Sequence, residues 1–287
     1  MQENGLARPV ASGDAVVTRP SRLRDLVQGR RDHLGLSQEA VADRLQMTSR
    51  AYGNWERGIV REWTDEKLYA LAAALEMTTY QTTRLFRIAV GRTPEPEQGS
   101  SHRHPQRNAS TDAILEQHSV LINAQSHPAF LVDHRWNVQT ANRAFRELFR
   151  GASQHPTAMP TSNFLRFGLF HPDAGRILDE HRMWKLAMLA QLEASLERYD
   201  DDLVLQAMRR EVYLDAELKT MYVQDMPAWT AGGGSDLLHS GDSTRLVRHP
   251  NPPLGSQGWR FVDETPRCLQ ALGLTRIALV ATDLVSG

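Results

Sequence analysis

Apolar positions recur at helical spacing through the first third of the chain, and polar caps divide them into short elements. Ser37 can cap a helix whose inward positions are Val41, Ala42 and Leu45. Thr48 supplies a second cap, for a helix running from Ser49 to about Arg57. Tyr52 and Trp55 share its inner face, while Ser49, Arg50, Gly53 and Asn54 share the outer one. Gly58 ends it as a left-handed cap. Thr64 opens a helix through Leu68, Leu71, Ala72 and Leu75, and another runs from about Thr79 to Val90 with Leu85, Phe86 and Ile88 buried. Then Gly91 to Thr111 holds three prolines and several serines and has almost no aliphatic content, so it reads as a linker.

Beyond the linker the period changes. Asp112 to Gln125 is helical, Ala129 to Val132 is a short strand, His134-Arg135 a turn, and Trp136 to Thr140 a second strand. Asn142 opens a helix carrying Ala144, Phe145, Leu148 and Phe149. An apolar cluster from Phe164 to Phe170 ends at His171-Pro172, and a long helix is predicted from about Asp173 to Tyr199. Helices over Asp202–Val212 and Leu214–Val223 follow, then a Gly- and Ser-rich loop from Ala231 to Ser243. Three strands complete a sheet: Thr244–His249, Gly258–Glu264 and Thr275–Thr282.

A chain of 287 residues suggests two domains. The single cysteine, Cys268, offers neither a disulfide framework nor a thiolate zinc site, which fits a reducing cytoplasm. No apolar run approaches the roughly 20 residues that span a bilayer, so no membrane association is expected. Net charge is −1, yet between Arg19 and Arg61 nine arginines face five carboxylates. Planar guanidinium groups suit phosphate contacts. Residues 1–18 are polar and read as a disordered tail.

The run Leu34-Gly35-Leu36-Ser37-Gln38-Glu39, the exit Trp55-Glu56-Arg57-Gly58 and the later Leu71-Ala72-Ala73-Ala74-Leu75 resemble the phage-repressor or Xre family of DNA-binding domains. The resemblance implies that Gln38 clamps a phosphate, that Ser49, Arg50 and Asn54 read bases, and that Arg31 pairs with Glu56. Thr48 and Arg57 complete the expected DNA-binding set. Where the family usually carries Gly in the turn between its two helices, this chain has Gln46. A side chain forced into the left-handed region costs on the order of 1 kcal/mol.

The hairpin followed by Ala141-Asn142 and a short helix resembles the opening of a PAS-type sensor. Asn163 to Phe170 and the Arg248-His249-Pro250 turn followed by Gly255 resemble motifs of MmyB-like transcription regulators. Met183-Trp184 stands where that family has an acidic-Trp pair, a departure that bears on the shape of the pocket. The resemblance implies an all-α repressor-like helix-turn-helix domain over 19–91 and a linker over 92–111. An α+β PAS-like domain for ligand binding and dimerisation then spans 112–287. It further implies a fatty-acid-like or other small-molecule ligand.

No HExxH, GxSxG or Walker-type loop is present, so no catalytic residue, metal site or cofactor is expected. Gly232-Gly233-Gly234-Ser235 follows no strand and reads as a flexible loop, and Asp200-Asp201-Asp202 reads as a solvated helix start. Phe130, Phe145, Phe164, Phe167, Phe170, Trp184 and Met188 each read first as packed core and, as the functional alternative, as a ligand pocket, with Arg166 and Arg182 the nearest basic residues for a carboxylate. Three functions follow. One is a cytoplasmic, homodimeric, operator-binding regulator answering to a small molecule. Another is a DNA-binding antitoxin or controller whose second domain binds a protein. The third, weakened by the missing catalytic signature, is a DNA-targeted enzyme. A flexible linker transmits little geometry, so coupling would act through dimerisation or through direct docking of the domains.

Overall fold

The computed structural model describes residues 19–94, 109–239, 244–248 and 255–282. The expected tail, most of the expected linker and the His249-Pro250 turn lie outside the described residues.

The first domain is helical: α1 (Arg19–His33), α2 (Gln38–Arg44), α3 (Ser49–Glu56), α4 (Asp65–Ala74) and α5 (Thr79–Val90). Hydroxyl side chains start four of the five. Ser37, Thr48, Thr64 and Thr78 accept from Ala40, Ala51, Lys67 and Gln81 backbone N–H, and Gln81 completes a capping box. The helix ends are just as regular. Gln46 (φ 53°), Gly58 (φ 70°) and Glu76 (φ 49°) turn left-handed, so that Met47 N–H reaches Ala42 O, Ile59 N–H reaches Asn54 O, and Met77 N–H reaches Ala72 O. The departure at Gln46 is therefore accommodated by an ordinary closing turn, shared with Glu76. Leu23, Val27, Val41, Tyr52, Leu68, Leu71 and Phe86 fill the core.

The second domain begins with α6 (Ala109–Asn123), which starts three residues before the expected domain boundary. Strands β1 (Ala129–Asp133) and β2 (Val138–Ala141) form a hairpin. The second strand starts later than expected because Trp136, at φ 64°, belongs to the turn and is buried there. Asp133 holds that turn by accepting from Arg135 and Asn137 backbone N–H. Helices α7 (Arg143–Leu148) and α8 (Phe164–Phe170) follow.

The long helix expected from Asp173 is broken into α9 (Ala174–Ile177) and α10 (His181–Arg198). Leu178 pairs with Val247, and Asp179 N–H donates to Leu246 O. Strand pairing thus displaces helix bonds, and Glu180 re-enters the helix through φ 52°. Then come α11 (Leu203–Leu214), α12 (Ala216–Thr220), a π-helical turn (Met221–Asp225) and α13 (Met226–Ala231). Strands β3 (Arg245–Arg248), β4 (Ser256–Asp263) and β5 (Leu274–Thr282), with α14 (Arg267–Gln270) between the last two, complete the fold.

The five strands form an antiparallel sheet in the order β2-β1-β5-β4-β3. Near β1 both faces are covered. Ala129 and Leu131 pack with Ile122, Leu269 and Leu274, while Phe130 and Val132 join the main core beneath the helices. This explains an unbroken apolar run where a half-buried strand would alternate.

The two domains touch. Arg30 of α1, 8% exposed, donates through Nε to Leu75 O (3.0 Å), through Nη2 to Glu76 O (2.6 Å) and through Nη1 to Ala231 O (2.7 Å). One guanidinium thereby caps the C-terminal carbonyls of α4 and α13 together. Gln81 Nε2 donates to Thr230 O (2.6 Å), and Arg84 forms an ion pair with Glu197 of α10. The triple-glycine segment is folded rather than loose. A Cβ at Gly234 would meet the Trp229 ring at 2.3 Å, so only glycine lets the chain cross that face.

Arg30→Ala removes three hydrogen bonds, leaving Ala231 O only its bond from Gln81, and should destabilise the protein by about 3 kcal/mol. Arg30→Lys should recover only part, because an ammonium cannot reproduce the planar fork. Calorimetry should show the single wild-type unfolding transition splitting into two in Arg30→Ala. A single transition at unchanged temperature would show that the seam does not join the domains.

Candidate DNA-reading face and sensing core

Helix α3 presents Ser49, Arg50 and Arg57 to solvent with the second domain in place, and Thr48 beside them is exposed. Arg50 makes no ion pair among the described residues. Asn54 is half-buried, and its Oδ1 accepts from Arg57 Nη2 (2.7 Å), which braces the two side chains against each other. Gly53, expected on the outer face, is buried: a Cβ there would lie 3.7 Å from Gln38 Oε1. The reading face is narrower than the helical wheel suggests because α2 crosses over Gly53.

Behind this face sits a charged brace. Glu56, 5% exposed, takes a hydrogen bond from Arg31 Nε (2.7 Å) and another from Gln38 Nε2, with Tyr52 Oη at 3.4 Å. Burial opposes the Arg31 charge, but the bond to Glu56 and its carboxylate outweigh that and raise the guanidinium pKa. Gln38, exposed, is thus tied by its amide to the end of α3.

Several of the arginines near the N-terminus are engaged within the protein, two of them buried or half-buried and Arg44 at the surface. Arg30 serves the seam, Arg31 the Glu56 brace, and Arg44 bonds Ala74 O (2.8 Å) and Glu76. They therefore add less to a DNA-facing charge than the arginine content of residues 19–61 suggests. One signal was available: Leu23, Val27 and Arg30 fall at i, i+4 and i+7, which puts Arg30 on the buried stripe.

In the second domain, the candidate pocket residues lie together. Phe130, Phe145, Phe164, Phe167, Trp184 and Met188 are buried in one core, with Phe170 at its edge. The rings touch one another: Phe130–Phe145 centroids are 4.4 Å apart, and Phe164 lies 5.4 Å from Phe130 and 6.3 Å from Trp184. Met188 fills the space over Gly168, where a Cβ would fall 1.9 Å from its sulfur. The expected carboxylate partners are engaged elsewhere. Arg166 forms a bidentate pair with Glu211 (3.0 and 2.7 Å), and Arg182 pairs with Asp225 (2.8 Å).

Of the acidic trio, Asp200 and Asp201 are exposed and Asp202 is not. Asp202 is not a solvated helix start but a buried cap, accepting from Val204 and Leu205 N–H, His134 Nε2 and Arg135 Nε. Burial would raise its carboxyl, and these bonds outweigh that to hold it at about 2.

Between core and seam lies a buried acid that the sequence did not reveal. Asp236, 1% exposed, accepts from Leu238 N–H (3.1 Å), His239 N–H (2.7 Å) and the His239 ring (3.0 Å). The His239 ring packs 5.8 Å from that of Tyr80 on α5. Among the described residues no group of acids, histidines and cysteine could hold a metal ion, and no helix is long and apolar enough to cross a membrane.

Comparison with known proteins follows the same division. Residues 27–80 match the family model described as helix-turn-helix, and residues 113–239 match that of the MmyB-like transcription regulator ligand binding domain. No curated protein matches the chain.

The Asp236–His239 pair, packed against Tyr80, leads to an expected pH dependence of stability. Burial disfavours the imidazolium, but the bond and charge of Asp236, helped by Asp263 and opposed by Arg87, raise the His239 pKa above its ordinary 6.5. Its stabilisation is therefore complete below that value and is lost as pH rises through the folded-state pKa. Unfolding free energy measured from about pH 6 to about pH 8 should fall in the wild type and change less in His239→Gln. Parallel curves for the two proteins would remove His239 from the account.

Proposed function

The chain belongs to the MmyB-like helix-turn-helix transcription regulators, and from that premise we propose an operator-reading protein whose hold on DNA is set by a small apolar or fatty-acid-like ligand. The observation that carries this reading is the seam. α13, whose carbonyls accept from Arg30 and Gln81, continues directly from the π-helical turn and α12, which pack on the sensing core through Leu218, Met221, Tyr222 and Met226. A ligand that separates those side chains must move α13, and with it the helices that frame α3. Coupling of about 1–3 kcal/mol is typical of such switches. The strand order β2-β1-β5-β4-β3, with the larger apolar core held between one face and the helices, supports a PAS-like sensor.

In this reading Arg50 and Asn54 contact bases, Ser49, Thr48 and Arg57 the backbone or base edges, and Gln38 a phosphate while bracing Glu56. Arg50→Ala should cost about 1–3 kcal/mol of specific over non-specific binding. Gln38→Ala should weaken all sequences more evenly. Titrations on matched and scrambled duplexes decide it: undiminished discrimination in Arg50→Ala would place the reading face elsewhere.

Two copies would read half-sites roughly 34–36 Å apart. The outer face of α6, where Val120 is 65% and Leu121 50% exposed, supports a dimer contact in the second domain. Sedimentation should show a dimer that Leu121→Glu converts to monomer, with operator affinity falling at least tenfold. The alternative, a controller whose second domain binds a protein, draws on exposed Leu203, Leu214 and Val223 of the α11–α13 region. Loss of function on changing those residues, with ligand response intact, would favour it.

A further inference from the structure

Buried cations in this protein are generally paired: Arg30 with three carbonyls, Arg31 with Glu56, Arg84 with Glu197. Arg245 is different. It stands on β3, 7% exposed, and its side chain shares the inward face with Val247. Its guanidinium carbon lies 5.8 Å from the centre of the Trp184 ring, yet the group makes no hydrogen bond or ion pair among the described residues, and Nε is buried without a partner. Directly across the β3–β4 ladder, Trp259 is 7% exposed, and its Nε1–H is likewise buried without a partner.

We propose that Arg245 and Trp259 form the head-group subsite for a singly charged anion, a carboxylate carried by an apolar ligand. The inference rests on the reading of the second domain as a ligand sensor and adds to it where the charged end goes. Two orphaned donors on paired strands, one a planar fork, match the acceptor geometry of a carboxylate. An unpaired buried charge is costly, and a monoanion neutralises it, whereas a dianion would leave net negative charge in the same apolar place. Asp236 is the acid that acts on Arg245 through space, but its oxygens are taken by His239 and by Leu238 N–H. Burial accordingly depresses the Arg245 pKa to about 10. The surroundings suit an apolar tail: Trp184, Val247, Trp259 and Phe261 belong to the core that holds Phe164 and Met188.

The test uses the full-length protein stripped of lipid, with dodecanoate, dodecan-1-ol and dodecyl phosphate titrated by calorimetry and tryptophan fluorescence. Wild type should bind dodecanoate on the order of tenfold more tightly than the alcohol. Arg245→Met should abolish that preference while keeping its affinity for the alcohol, Arg245→Lys should retain part, and Trp259→Phe should weaken dodecanoate alone. A preference that survives Arg245→Met overturns the proposal. So does tighter binding of dodecyl phosphate than of dodecanoate. If neither dodecanoate nor the alcohol binds, the apolar-ligand reading fails, and the subsite is judged on benzoate. Benzoate should then raise the melting temperature of wild type but not of Arg245→Met or Arg245→Lys, and equal shifts would overturn it. Stability gives a further check: ligand-free Arg245→Met should melt no lower than wild type, and a large drop would reveal a structural partner for Arg245.

Discussion

One guanidinium sets the geometry of this protein. Arg30 closes the end of α4 within the DNA-binding domain and the end of α13 in the sensing domain with the same planar group. Helix C-termini carry unsatisfied carbonyls and partial negative charge, so two such ends converging would repel and stay solvated without a cation between them. With Arg30 in place, α1 fixes the angle between the domains, and the Gln81 and Arg84 contacts fall within reach of α13 and α10. Among the described residues Glu197 Oε2 and Arg84 Nε have no partners, so that pair is held by one bond rather than two. The seam therefore combines one fully satisfied junction with one that is half satisfied. That is a suitable composition for a contact meant to be displaced at modest cost.

The sensing core and the DNA face communicate, on this view, through a short stretch of chain. From Leu218 to His239 the backbone runs from the apolar core, along α13, past Trp229 and back to the Tyr80 ring of α5. Each step is a packed or hydrogen-bonded contact, and the π-helical turn at Met221–Asp225 lies where core packing gives way to the seam. A wide helical turn leaves its backbone bonds less regular than those of the flanking α-helices, which makes it a natural place for a small rotation to begin.

Much of the fold was legible from the chain because it is specified locally. The caps at Ser37, Thr48, Thr64 and Asn142, the closing turn at Gly58 and the strand pattern of the last third depend on neighbours within a few residues. Where distant residues decide, sequence reading failed. The break before His181 exists because Leu178 finds Val247. Gly53 is buried because α2 crosses it, and Asp202 is a clamped cap because the β1–β2 turn delivers His134 and Arg135 to it. Arg166 and Arg182 looked available for a ligand because Glu211 and Asp225 lie 45 and 43 residues away along the chain. Arg245 went unremarked for the opposite reason. A basic residue in a short strand suggests an exposed edge, and only the packed structure puts it beside Trp184.

The acceptors on the sensing-domain side at α13 are main-chain carbonyls, those of Thr230 and Ala231, whereas the donors on the other side are the side chains of Arg30 and Gln81. Tolerance to substitution is therefore lopsided. The last turn of α13 can exchange most of its side chains and still offer the same oxygens, provided the helix ends where it does. A substitution of Arg30 or Gln81 by a residue without side-chain N–H groups removes a donor outright. Sensing domains built on this plan are free to diversify their ligand chemistry up to the edge of the seam, while the DNA-binding domain carries the fixed half of the joint.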